Sequence, residues 1–484
     1  MTFNSWEFLI FYPIVAILYF LLPKKARWPM LLIASYYFYI FYQADLIFLI
    51  VATTLISWIS SLIIERTDRV GLRRLMLAIT LIACLGVLFF YKYFNFLAGS
   101  VVSIVNLLGG EAPPVVLNLV LPVGISFYTF QTLSYVIDVY RGKVKTERNF
   151  FFYALFVSFF PQLVAGPIER PDNLIPQLKE AHKWSNENAV KGAKHMMVGF
   201  FKKIVVADLI SVYVNSVYNN VDEATALGVI IATALFAVQI YCDFSGYTDI
   251  AIGCARIMGI RLMKNFDHPY TSTSIKEFWG RWHISLSSWF KDYLYIPLGG
   301  NRCSKGRHLL NLMIVFTVSG LWHGANWTYV IWGALHGVYQ IIGNLTIKRR
   351  NALVERLGFT KDHPAVVWTR RVITFILVDF AWLFFRANTP ADAFALIKTL
   401  FTGWGGTMGT LGDMGLTPVM IALTILTIAT LVMIDRMLTY DDLPDGSDAI
   451  SRHGGFIYYV FMILLAWVLL LSKNMTSTFI YFQF

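Results

Sequence analysis

Histidine is the side chain whose ordinary pKa lets it accept and return a proton near neutral pH. Histidines set among apolar residues are therefore the first candidates for chemistry. His323 lies in VSGLWHGANWTYVIWGALHG, a small-residue and Trp-rich stretch where Gly320 and Gly324 permit close backbone approach. An ionisable group that deep in an apolar run is costly and usually functional; catalytic proton transfer and a hydrogen-bonded packing role both fit it. His336, near the inner end of the next helix, reads as structural. His283 lies in IKEFWGRWHISLSSWFKDYLYIPLGGNR beside Arg281, Ser285, Ser287 and Ser288. Those groups can hydrogen-bond a carbonyl or a phosphate, and the helix-breaking segments nearby suit a cavity. In QIYCDFSGYTDIAIG, Gln239, Asp243, Ser245 and Asp249 interrupt an apolar helix. Two carboxylates there ask for partners; a proton pathway, a structural network with Tyr241 or Tyr247, and ion coordination all fit.

The elements that must hold these residues are membrane spans. Of 484 residues, 57% are hydrophobic and 14% charged, against roughly 25% charged in an ordinary globular domain. Soluble cores cannot absorb that much Phe, Leu, Ile and Val, so the surplus must face lipid. Lys plus Arg at 40 against Asp plus Glu at 29 gives +11. The basic residues form no single stripe, which argues against nucleic-acid binding; they sit in short clusters between apolar runs, as in a multi-pass membrane protein. Cys84, Cys242, Cys254 and Cys303 are scattered without metal-site spacing, so neither a disulfide scaffold nor a metal site is expected.

Apolar windows fall at 5–22, 28–42, 46–64, 74–97, 115–138, 197–219, 226–255, 308–322, 326–345, 366–386, 415–437 and 455–472, most near the roughly 20 residues a bilayer core requires. The first has its positive charges after the apolar run, the reverse of a secretory signal, and reads as a retained span. With Lys24, Lys25 and Arg27 inside, so are Arg66, Arg69, Arg73 and Arg74, then Arg141, Lys143, Lys145 and Arg148, and later Lys348 to Arg350, Arg356, Arg370 and Arg371. The intervening loops contain a single basic residue, Lys398. By the positive-inside rule both termini are expected outside. Two regions depart from this pattern. Residues 150–170 are interrupted by Pro161, Gly166 and Pro167 and suit a re-entrant or interfacial hairpin. Residues 256–307 mix charges with aromatics on the cytoplasmic side, as in protein lying in the interface.

AGPIER at 165–170, CDFSGYTDIAIG at 242–253, FWGRWHISLSSWFKDYLYIPLGG at 278–300, LWHGANW at 321–327 and FFRA at 384–387 together resemble the membrane-bound O-acyltransferase (MBOAT) family. The likeness spans essentially the whole chain. It is strongest to the bacterial alginate O-acetyltransferase subunit branch, which includes peptidoglycan acetylating proteins and is similar to the D-alanyl transferase of teichoic acid synthesis. The resemblance implies an all-α polytopic protein, a ring of tilted transmembrane helices with re-entrant and interfacial helices around a central tunnel. It implies a single domain over 1–484, with N-terminal helices and an outer interfacial segment at 1–140, a catalytic core at 141–345, and C-terminal helices with an outward aromatic tail at 346–484.

By the same resemblance His323 is the catalytic histidine and His283 the second active-site position, with Asp243, Ser245, Trp282, Ser285, Ser287, Trp322 and Asn326 as lining residues. The implied reaction moves acetyl from the thioester of acetyl-CoA, a donor substrate and not a bound cofactor, to a hydroxyl. That needs a base for the hydroxyl proton and donors for the developing oxyanion. His323 is the expected base; His283 would orient the thioester, stabilise the oxyanion or protonate the thiolate. Arg256, Arg261, Lys264, Arg302, Lys305 and Arg307 either hold the donor phosphates or are solvated interface charge. No G-x-S-x-G elbow for a covalent acyl-serine is present. The terminal STFIYFQF resembles the aromatic-tyrosine end of a small partner in the teichoic acid system. By that likeness Tyr481 would relay acetyl to a periplasmic or extracellular SGNH-type partner; the ordinary alternative is a membrane-interface anchor. The implied setting is the bacterial plasma membrane, in contact with lipid. The final acceptor would be a secreted polysaccharide, alginate or similar. Competing readings are a peptidoglycan or other wall-polymer acyltransferase, a transporter of an acyl or glycan intermediate, and a structural subunit.

Overall fold

The computed structural model describes residues 1–113, 115–405, 412, 415 and 417–441. Every regular element among them is helical. Lys24–Arg66, Val70–Leu107 and Ala226–Ile257 are long and apolar enough to cross a membrane, and Trp6–Leu21 and Pro418–Val432 are shorter apolar helices. The protein is an all-α, multi-pass membrane protein. The window 455–472 and the aromatic tail lie outside the described residues.

In chain order the helices are α1 (Trp6–Leu21), α2 (Lys24–Gln43), α3 (Ile47–Arg66), α4 (Val70–Leu88), α5 (Phe94–Leu107), α6 (Ile125–Tyr140), α7 (Phe150–Ser158), α8 (Phe160–Leu163) and α9 (Pro171–Lys179). They continue with α10 (Asn186–Phe200), α11 (Asp208–Tyr218), α12 (Ala226–Ile257), α13 (Ile275–Arg281), α14 (Ile284–Phe290), α15 (Lys305–His323), α16 (Trp327–Arg356), α17 (Pro364–Arg386) and α18 (Pro390–Thr402). A last helix spans Pro418–Asp441. The chain divides into two units, Met1–Met196 with Ile250–Met263, and Met197–Asp249 with the described residues from Lys264 onward.

In the first unit, α1 shows how an apolar sequence is shared between protein and lipid. Phe8, Phe11, Tyr12, Val15 and Tyr19 are buried, while Trp6, Ile10, Ile14, Ile17 and Leu21 are exposed on the opposite stripe. Such an exposed apolar stripe belongs against hydrocarbon. Helix α3 buries Thr53, Thr54, Ser57, Ser60 and Ser61. Thr53, Thr54 and Ser57 return their hydroxyls to carbonyls three or four residues back, so the small side chains permit close packing without leaving orphaned donors. The window expected at 115–138 becomes helical only at Ile125. Pro122 lies just ahead, and Gly124 at φ +74 has no room for a Cβ because the Leu163 carbonyl fills that space. Residues 150–170 fold as α7 and α8, of 9 and 4 residues, neither long enough to cross a bilayer.

The second unit is built on an aromatic core. Trp332 stacks on Trp382 with ring centroids 5.5 Å apart, and Trp282 packs on Trp382 at 5.1 Å. Helix ends are marked locally: Pro364 opens α17 behind the His363 cap, and Thr389 with Asp392 forms a capping box on α18.

Candidate active site

His323 is the last residue of α15. That helix starts at the Ser304 cap, whose hydroxyl accepts the Arg307 N–H, and stops where Gly324 turns extended. Asn326 then caps α16 by accepting the Thr328 N–H at 3.0 Å. The two helices meet at Gly320 and Gly333 with backbone against backbone: a Cβ on Gly320 would collide with the Tyr329 carbonyl and lie 3.0 Å from Gly333 Cα. One turn past this crossing, His323 is buried between Trp332 (5.0 Å between ring centroids), Trp322 (5.1 Å) and Phe385 (5.5 Å).

His283 sits between α13 and α14 with φ +45. Among the described residues only it and His268 combine a side chain with positive φ, a conformation that costs of order 1 kcal/mol or more and needs support from its surroundings. Asn265, fully buried, supplies that support. Its carbonyl accepts the Ile284 N–H at 2.9 Å. Its Oδ1 takes the Ser285 N–H at 3.2 Å and the Ser285 hydroxyl at 2.9 Å, and lies 3.1 Å from His283 Nδ1. The flanking loop is tied by Lys264 to Asp267 at 3.0 Å. Burial opposes the charge on Asp267, yet Lys264, His268 and Arg281 hold its carboxyl below the usual range. The Phe244 ring abuts His283 edge to face at 4.7 Å. The two histidines, forty residues apart in sequence, end with ring centroids 6.4 Å apart and Trp322 beside both.

A cavity of about 1190 Å³ is lined by neighbours of this pair in the chain and not by the two histidines themselves. Ile284 and Ser287, next to His283, and Ser319, one turn before His323, form part of its wall, and Lys276, Lys291 and Arg302 give it positive charge. His308 also lines it, bridged to Tyr295 and Asn344 at 3.0 Å each.

The carboxylates of α12 meet lysines. Lys203 bonds Asp243 at 2.6 Å and Asp208 at 2.9 Å, and Lys202 bonds Asp249 at 3.0 Å. The lysines lie on a π-helical turn, Phe201–Ala207. A Cβ on Gly246 would come within 2.8 Å of the Gly199 carbonyl, so α12 and α10 approach closely there. Of the three roles open for Asp243 and Asp249, this geometry supports the structural network, with the lysines as principal partners. No cluster of metal-binding side chains occurs among the described residues.

The other candidates divide. Trp282 is buried in the aromatic core, and Ser245 is buried on α12. Ser285 is tied to Asn265, and the Ser287 hydroxyl donates to the Trp282 carbonyl at 3.3 Å. Asn326 is occupied as a cap and donates to the Asn388 carbonyl at 3.0 Å. Of the basic candidates, Arg302 reaches the cavity, Lys305 is exposed at the start of α15, and Lys264 is paired with Asp267. Arg256 and Arg261 belong to the first unit, where Arg261 donates its backbone N–H to Gln177 at 2.7 Å. Tyr481 lies outside the described residues. His336 accepts the Trp279 indole N–H at 3.1 Å in the aromatic core. The sequence reading missed Asn265, Lys203, Lys276 and Lys291. Lys202 and Lys203, set in the apolar run before α11, were a readable signal as counterparts of Asp243 and Asp249.

The family model for membrane-bound O-acyltransferases matches residues 143–378. The chain is 40% identical over 407 residues to the probable alginate O-acetylase AlgI of Pseudomonas aeruginosa, covering 83% of this chain and 75% of that protein. The chain belongs to the membrane-bound O-acyltransferase family. The chain is also similar to the peptidoglycan O-acetyltransferase of Helicobacter pylori, 35% identical over 433 residues (82% of this chain, 79% of that one), and to the teichoic acid D-alanyltransferase of Bacillus subtilis, 29% identical over 285 residues (56% and 70%). The region matched by the MBOAT model contains both histidines, Asn265, the lysine network and the cavity-lining Lys276, Lys291 and Arg302.

Proposed function

We propose that this protein is an O-acetyltransferase that takes acetyl from cytosolic acetyl-CoA and delivers it for O-acetylation of a secreted polysaccharide, alginate or a similar exopolysaccharide. The observation that carries this reading is the meeting of His283 and His323, 6.4 Å apart, with their neighbours in the chain lining a cavity that has a cationic wall. The alginate O-acetylase relatives support the substrate class. In this reading Lys276, Lys291 and Arg302 hold the donor phosphates, and the thioester extends toward Ile284, Ser287 and Ser319. His323 removes the hydroxyl proton as the oxygen attacks the thioester carbon, and the C–S bond breaks to release CoA. In this reading the basic loops face the cytosol, which puts the donor side there and both termini outside. The outward hand-over, through Tyr481 to an SGNH-type partner, rests on the likeness of STFIYFQF to the teichoic acid partner.

Purified protein in liposomes is expected to release CoA thiol from acetyl-CoA, slowly with water as acceptor and faster with its partner. His323→Ala should abolish release while the protein stays folded. Normal turnover in that variant would overturn the assignment.

A further inference from the structure

The contacts around Asn265 bear on the role of His283. Asn265 Oδ1 lies 3.2 Å from the Ser285 backbone nitrogen, and that N–H can only donate. The atom facing it must therefore be the amide oxygen; with the amide reversed, two donors would face one another. The amide nitrogen points instead to Thr248 Oγ1 at 3.4 Å. An amide oxygen has no hydrogen, so the bond at 3.1 Å between it and His283 Nδ1 requires the proton on Nδ1. A neutral imidazole carries one N–H, and the lone pair then sits on Nε2.

We propose that Asn265 is a positioning residue that holds His283 in the Nδ1–H tautomer, so that Nε2 enters the reaction as a proton acceptor. This rests on the acyl-transfer reading and deepens it. Of the three roles open to His283, a resting oxyanion donor is removed, because Nε2 must take a proton before it can give one. The reaction supplies that proton. As the acceptor oxygen bonds to the thioester carbon, its hydroxyl proton goes to His323. The His323 ring is 6.4 Å from that of His283, a gap that one bridging hydroxyl or water spans. The proton passes to His283 Nε2 and, as the C–S bond breaks, from Nε2 to the thiolate sulfur. Both rings end as they began, with the products an ester and CoA thiol. The left-handed backbone at His283 and the Ile284 N–H bond to the Asn265 carbonyl belong to the same clamp.

The test compares Asn265→Asp, which keeps an acceptor oxygen for Ser285 and Nδ1, with Asn265→Leu, which removes it. Protein labelled with ¹⁵N in its histidine rings, with His283→Gln to assign the signals, should show a protonated Nδ1 and a bare Nε2 for His283. Asn265→Asp should preserve this pattern and Asn265→Leu should lose it. With acetyl-CoA as substrate, Asn265→Leu should lower kcat about a hundredfold, the lower end of what a positioned proton-transfer group contributes, with KM nearly unchanged, and Asn265→Asp should recover most of the rate. A protonated Nε2 in the resting protein would overturn the proposal. So would an Asn265→Leu variant that keeps the tautomer and the rate, or an Asn265→Asp variant as impaired as Asn265→Leu. If the unaltered protein released no CoA, the acyl-transfer reading would fail, while the ring signals would still decide the tautomer.

Discussion

Gly320→Ala tests whether the crossing of α15 and α16 positions His323. The added methyl would overlap the Tyr329 carbonyl and lie 3.0 Å from Gly333 Cα and 3.1 Å from Gly333 N. Carbon atoms pack best at about 3.5–4.0 Å, and the overlap with the carbonyl oxygen is deeper than that with Gly333, so the helices must separate by roughly 1 Å. Neither obstacle is a flexible side chain that can swing aside. Overpacking of this kind costs about 1–3 kcal/mol, which a protein of this size should survive folded. The larger effect falls on chemistry, because His323 lies on the same helix face three residues later and moves with the backbone. A misplacement of about 1 Å at a reacting group costs roughly a hundredfold, so kcat for CoA release should fall by about 10- to 100-fold. Gly306→Ala, on the exposed first turn of the same helix with nothing within 4 Å, is the control and should be close to neutral. Unchanged turnover and melting temperature in Gly320→Ala would refute the reasoning.

Two further perturbations address the frame around the site. Lys203→Met leaves Asp208 and Asp243 without their shared lysine, and breaking a buried ion pair costs about 3–5 kcal/mol; a marked fall in thermal stability in detergent is expected, partly recovered by adding Asp243→Asn, and a wild-type melt would contradict the network's role. Glu169, outside the long apolar helices, accepts from the Met263 N–H and the Asn173 amide, and its burial pushes its carboxyl up to about 7. An acid whose pKa is raised by folding binds more protons folded than unfolded, so it lowers stability as pH rises from its unfolded value through about 7. The melting temperature should therefore drop between about pH 4.5 and 7 for the unaltered protein, and Glu169→Gln should flatten that part of the profile; identical profiles would refute the assignment.

The apolar runs were legible because lipid imposes a length and a composition on any helix that crosses it, and the basic loops were legible because charge is arranged by side. His323 stood out for the same reason: a titratable group in an apolar, glycine-bearing run is rare enough to mean something. His283 was found through its motif, but nothing local in R-W-H announces a left-handed backbone. That conformation is supported by Asn265, eighteen residues earlier, which bonds the next two residues. The start of α6 was misplaced because periodicity registers apolar character while Pro122 and the Leu163 carbonyl set where the helix can begin. Among the basic residues, composition could not separate Arg302, which reaches the cavity, from Lys264, which is taken up by Asp267. Apolar run lengths, loop charge and motif order were enough to read a helical membrane protein of the acyltransferase family with two candidate histidines. The fold is what brings their rings within 6.4 Å and sets Asn265 Oδ1 3.1 Å from His283 Nδ1. Both depend on contacts between distant segments, and a hydrogen bond's direction is set by the partner it meets.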